Sequence, residues 1–186
     1  MAVEAELTAV LRGPDRVRAE LARRAKPETS VHADTYYDRP DHSMDAAGYE
    51  LRVRTITTGD TRRVVLTYKQ PPVEGGEGAK PEHETTVAGP DVLHTLFAGL
   101  GLVELISFQK HCTNYRFTSQ GRDLLATVVR IPELDGQQFL ELETMADPDD
   151  VPAALGTVRG VLADLGITDA DLSTESYTDR VAARRG

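Results

Sequence analysis

The chain has one cysteine among 186 residues, no tryptophan, and aromatic residues make up only 5% of it. The lone Cys112 has no partner for an internal disulfide and no second thiol for a thiolate metal site, which excludes both a crosslinked scaffold and a zinc ribbon. A reducing, cytoplasmic compartment fits this. No apolar run approaches the roughly 20 residues needed to cross a bilayer. The N-terminus enters directly into alternating polar and apolar residues without a signal-peptide core, so no membrane association is expected. Positive charge is also short: 21 Lys and Arg against 30 Asp and Glu leave a formal net charge of -9. That balance argues against nucleic acid as a partner, because nonspecific binding depends on neutralising many phosphates. A small anion can still be held where basic residues converge. The length suits a single domain over residues 1–186, with no internal boundary in view.

What the chain does have is alternation. Three segments carry helix signals and open on Pro-Asp steps at Pro14-Asp15, Pro90-Asp91 and Pro148-Asp149, where proline sacrifices no hydrogen bond and the acid favours the helix dipole. Two of them end near Gly101 and Gly166, and a shorter helix is expected from about Ser173 to Ala183. The rest repeats with a period of two, predicting strands near 2–12, 31–38, 48–57, 62–70, 81–88, 105–118, 123–131 and 137–145. Turns fall at Gly59-Asp60, Gly121-Arg122 and Asp135-Gly136, and Gln70 to Lys80 reads as a glycine-rich connection that could serve as a lid. Many consecutive strands with short links, plus amphipathic helices, predict an α+β fold: an antiparallel barrel or sandwich with helices packed outside.

Residues two apart on a strand share a face. Glu4 and Glu6 therefore lie opposite Val3, Ala5 and Leu7, and Glu141 and Glu143 lie opposite Leu140 and Leu142. Glu50, Arg52 and Arg54 are set against Leu51 and Val53, while Lys69 shares a face with Thr67. One such strand is ordinarily a half-exposed sheet whose polar face meets water. Several together, with helices that need an apolar surface to cover, imply that the apolar faces point outward and the charged rows line an interior. Ionised side chains in such an interior require compensation, by one another or by metal and phosphate. Paired carboxylates supply hard oxygen ligands for Mg²⁺ or Mn²⁺, and guanidinium forks with lysine point charges suit phosphate oxygens.

The order of these motifs resembles the CYTH superfamily of triphosphate tunnel enzymes, which includes class IV adenylyl cyclases and thiamine triphosphatases. Val3-Glu4-Ala5-Glu6 is similar to its opening Glu-x-Glu-x-Lys, and Asp34-Thr-Tyr-Tyr-Asp38 to its second strand. Glu50-Leu-Arg-Val-Arg54 resembles the Leu-Arg-x-Arg strand, Leu66-Thr-Tyr-Lys-Gln-Pro71 a cyclase-like Leu-Thr-Tyr-Lys-Gly-Pro, and Phe139-Leu-Glu-Leu-Glu143 a late Phe-x-Glu-x-Glu. The resemblance implies an eight-stranded antiparallel closed barrel forming a tunnel, with metal on Glu4, Glu6, Glu141 and Glu143 and phosphate on Arg52, Arg54, Lys69 and Lys110. It implies a small phosphorylated, nucleotide-like or triphosphate substrate that is cyclised or hydrolysed. Family members often pair as dimers, so a homodimer is the assembly it suggests.

Several positions depart from that pattern. Thr8, Glu82 and Cys112 stand where basic residues are expected, and Thr127 or Arg130 where an acid is expected. These replacements leave two alternatives: a lyase or cyclase repurposed for another anionic metabolite, or a binding module without turnover. The five histidines show no metal-ligand spacing, and parity turns His111 away from the face that carries Lys110 and Cys112. Cys112 reads as a packing residue, the tyrosines mostly as core, and Tyr177 as a residue closing one end of the tunnel.

Overall fold

The computed structural model describes residues 3–73 and 79–186. Eight strands, β1 (Val3–Val10), β2 (Glu28–Asp38), β3 (Glu50–Thr58), β4 (Thr61–Lys69), β5 (Ala79–Val87), β6 (Val103–Ser119), β7 (Arg122–Arg130) and β8 (Gln138–Ala146), close into a barrel in the order β1-β5-β4-β3-β2-β6-β7-β8. Every pairing is antiparallel. Two-residue turns, Gly59-Asp60 and Gln120-Gly121, join β3 to β4 and β6 to β7 and stand at the same end of the barrel. The proposed lid over 70–80 falls partly outside the described residues.

The apolar face of each strand points outward, as the helices require. Helices α1 (Pro14–Arg24) and α4 (Val151–Asp164) lay Val17, Leu21, Val158, Val161 and Leu162 on the outward Ala126, Val128, Leu140 and Leu142. A four-residue helix, α2 (Ser43–Ala46), follows β2 and is tied to it by Asp38, which accepts the backbone N–H groups of Met44 and Asp45. Helix α3 (Pro90–Gly99) packs Leu93 and Phe97 on Tyr37 and Val53. The Pro148-Asp149 step opens a 3-10 turn, and the α-helix proper begins at Val151.

Helix α5 (Tyr177–Arg185) sits across the end opposite the two hairpins. There the inward residues become apolar: Tyr36, Phe108, Val129 and Phe139 gather beneath Val181, and Tyr177 joins the cluster. Phe139 is fully buried and meets Tyr177 edge to face at 5.1 Å. This plug fills the lumen under α5, while the hairpin end remains open as the mouth of a cavity of about 630 Å³. No helix among the described residues is long and apolar enough to cross a membrane.

Candidate functional site

The cavity is walled by the charged rows. Register decides which acids meet: Glu6 pairs across to Glu143, whereas Glu141 falls opposite Thr8 on one side and Thr127 on the other. Glu4, Glu6 and Glu143 each bring a carboxylate oxygen within 4.8 Å of the others. Glu141 is taken instead by Lys110, whose Nζ lies 3.1 Å from its Oε1. The four acids singled out by sequence thus divide into a group of three and an ion pair.

The bases are all engaged. Arg54 holds Asp34 through two hydrogen bonds of 2.7 Å, from Nε and Nη2. Lys69 donates to Glu4 and stands 3.9 Å from Glu82. The Lys110 ammonium lies 4.8 Å from the centre of the Tyr177 ring. Arg52 approaches Glu50 at 3.3 Å and Thr67 at 3.4 Å, but its Nε–H is buried and has no partner among the described residues.

Electrostatics follow from that arrangement. Burial, then the neighbouring Glu4 and Glu141, pushes the Glu6 carboxyl up to about 7. Burial together with Glu4, Glu6 and Glu141 lifts Glu143 well above the carboxylate range. Glu82 rises to about 8, chiefly from burial, with Glu4 adding to it against the opposing pull of Lys69. Burial would raise Glu4 and Asp34 too, but Lys69 holds the first below its ordinary value and Arg54 the second. The lumen therefore holds more carboxylate than its cations balance, and it retains protons on the surplus. A hard divalent cation fits this donor set, since three carboxylates within one cluster are short of positive charge.

Sequence reasoning placed the inward rows but missed several members. Asp34 is one: it shares the inward parity of Tyr36 and meets Arg54 in the lumen. Glu82, standing at an expected basic position, does line the cavity, and so do Arg63 and Arg116 near the mouth. Ser30, His32, Asn114 and Thr127 complete one side of it. Cys112 is buried behind them and its thiol is pushed up to about 12 by that burial, so it stays protonated.

The chain thus presents an antiparallel barrel with an ionic lumen, an apolar shell and a carboxylate cluster in the same cavity as guanidinium groups. The chain belongs to the CYTH domain family, which matches residues 3–177. Its fold is similar to that of the PH1819 protein from Pyrococcus horikoshii OT3, with a TM-score of 0.81 at 22% identity over 98% of this chain and 99% of that one. A Vibrio parahaemolyticus protein proposed as an adenylate cyclase matches with a TM-score of 0.81 at 16% identity, covering 96% of this chain and 97% of that one. A Hippeastrum protein proposed as an adenylyl cyclase, with a dominant triphosphatase activity, matches with a TM-score of 0.65 at 18% identity, covering 98% and 96%. No curated protein matches the chain by sequence.

Proposed function

We propose that the protein is a metal-dependent enzyme that cleaves a phosphoanhydride bond of a triphosphate inside its tunnel, by cyclisation or by hydrolysis. The observation that carries this reading is the carboxylate cluster of Glu4, Glu6 and Glu143, two of which line the same cavity as Arg52, whose buried Nε–H has no partner among the described residues. Family membership and the triphosphatase activity of the Hippeastrum protein support it.

Glu4, Glu6 and Glu143 would hold Mg²⁺ or Mn²⁺. Such an ion neutralises phosphate charge and makes a bound oxygen more acidic. Arg52 would offer its Nε–H to a phosphate oxygen and Arg54 the N–H groups that Asp34 leaves over, while Lys69 and Lys110 add point charges. Glu4 links the two halves of the site, because its carboxylate is the partner of Lys69. With Glu4 engaged by a cation, Lys69 would be available to a phosphate oxygen, so the two occupancies would reinforce each other. Glu141 positions Lys110 from one side and Tyr177 from another.

The test is incubation with nucleoside triphosphates, thiamine triphosphate and inorganic tripolyphosphate in Mg²⁺ or Mn²⁺, followed by mass analysis. Pyrophosphate with a cyclic product marks cyclisation; orthophosphate marks hydrolysis. Glu82 in the cavity wall, where it opposes phosphate whenever it is ionised, favours one second reading, a tunnel that binds without turnover. Saturable binding with no product from any member of the panel would select it.

A further inference from the structure

The cavity wall is chemically divided. The acid cluster and Arg52, Arg54 and Lys69 lie on β1, β3, β4 and β8, whereas β2, β6 and β7 bring the neutral Ser30, His32, Asn114 and Thr127 to the wall with Cys112 buried behind them, bordered by Glu28 across from Asn114, by Glu141 across from Thr127, and by Asp34, whose charge Arg54 takes up. Ser30 is the register partner of Cys112, and Asn114 that of Thr127, so these side chains form one continuous inward patch. Lys110 on β6 lies toward the plug from it, and Arg116 toward the mouth.

Hydrogen bonds connect the patch. Thr127 Oγ1 donates to Asn114 Oδ1 at 3.0 Å, and Asn114 Nδ2 donates to Ser30 Oγ at 3.1 Å. Ser30 Oγ and His32 Nε2 share a hydrogen bond of 3.0 Å, and the other ring nitrogen, Nδ1, lies 3.7 Å from Cys112 Sγ. Burial, with Arg54 and Lys110 adding to it, pushes the imidazole down to about 3, which keeps it neutral.

The chain of bonds orients the patch without exhausting it. Asn114 keeps one N–H and one lone pair, and Thr127 keeps its lone pairs, on side chains that line the cavity. Acceptors so placed repel phosphate oxygens. A ligand portion carrying both donors and acceptors, such as a heterocycle edge or a sugar hydroxyl, satisfies them. The cavity of about 630 Å³ lies within the ~300–1,000 Å³ typical of sites that enclose organic ligands.

We propose that Asn114 and Thr127, oriented by Ser30 and His32, are specificity-determining residues that receive the uncharged polar portion of an organic triphosphate, so that such a ligand is preferred over inorganic tripolyphosphate. This rests on the reading of the tunnel as a triphosphate site and names its substrate class.

The experiment measures binding by calorimetry in Mg²⁺ for four nucleoside triphosphates, thiamine triphosphate and inorganic tripolyphosphate, with wild type, Asn114→Leu and Thr127→Val. At least one organic member is expected to bind about tenfold or more tighter than tripolyphosphate, and both variants to lose most of that margin. Tripolyphosphate affinity should stay within about twofold. Circular dichroism reports folding, and the nearly isosteric Thr127→Val carries the test if Asn114→Leu does not fold. Tripolyphosphate binding as tightly as every organic member, or variants that weaken all ligands equally, would overturn the inference while leaving the triphosphate site standing. Folded, metal-supplied wild type that binds no member at all overturns the triphosphate reading itself.

Discussion

Asp34 is almost wholly buried and its two oxygens are both taken by Arg54, so removing its charge strips the buried Arg54 guanidinium of its hydrogen-bonded partner. Asp34→Asn is expected to lower stability by about 3–5 kcal/mol in chemical denaturation, the usual cost of breaking one side of a buried pair. A change within experimental error would mean that solvent in the tunnel replaces the lost carboxylate. His32 gives a complementary expectation on the acid side. Its folded-state pKa, about 3, lies below the roughly 6.5 of an unfolded histidine, so folding excludes a proton that the unfolded chain accepts. Its contribution is fully present above pH ~6.5 and is lost progressively toward pH 3. His32→Gln should therefore flatten the decline of melting temperature over that interval, while Asp34 still imposes a loss at lower pH.

Helix α4 ends as it does because Gly166 adopts a left-handed φ of 72°. Its N–H bonds the Ala163 carbonyl at 2.8 Å, and Ile167 N–H bonds the Leu162 carbonyl at 2.9 Å, which satisfies the last turn and folds Ile167 back onto the core. A Cβ at Gly166 would come within 2.5 Å of the Arg16 guanidinium, which itself donates to the Leu165 carbonyl. Gly166→Ala should thus cost roughly 1–3 kcal/mol, measured by urea denaturation, with ligand affinity unchanged. The helix stops at Gly101 and Gly166 were legible because punctuation of this kind is local. The strands were legible for a related reason, since alternation reports which face is buried. Stagger between strands was not: nothing in Glu-x-Glu at two places says that Glu143 meets Glu6 while Glu141 meets Lys110. A register shift between β2 and β6 at Tyr36 and Tyr37 likewise escaped: it leaves Leu105 as an extra residue on β6, while ordinary alternation puts Tyr36 in the plug and Tyr37 outward under α3.

Across the whole molecule, the shortage of positive charge in the sequence is repeated inside the barrel. Glu6 at about 7 and Glu82 at about 8, with Glu143 also raised, bind protons in the folded state that the unfolded chain has released. Such groups contribute stability below their unfolded pKa values and lose it as pH rises through the folded ones. Between pH ~6.5 and ~8.5, where His32 and Asp34 contribute constantly, the metal-free protein should melt at steadily lower temperature, and Mg²⁺ or Mn²⁺ should restore it. A flat profile in chelator would count against the clustered carboxylates. By the same linkage, cation binding at pH 7 should release protons, seen as a buffer-dependent heat in calorimetry.

The apolar stopper of Phe139, Tyr36 and Phe108 beneath α5 leaves the mouth at the hairpins as the opening of the cavity among the described residues. On the proposed reading, reactant and products would share that doorway. The fragment nearest the stopper would wait behind the one nearer the mouth, so departure would be ordered by position and the last fragment to leave would compete directly with the next arrival.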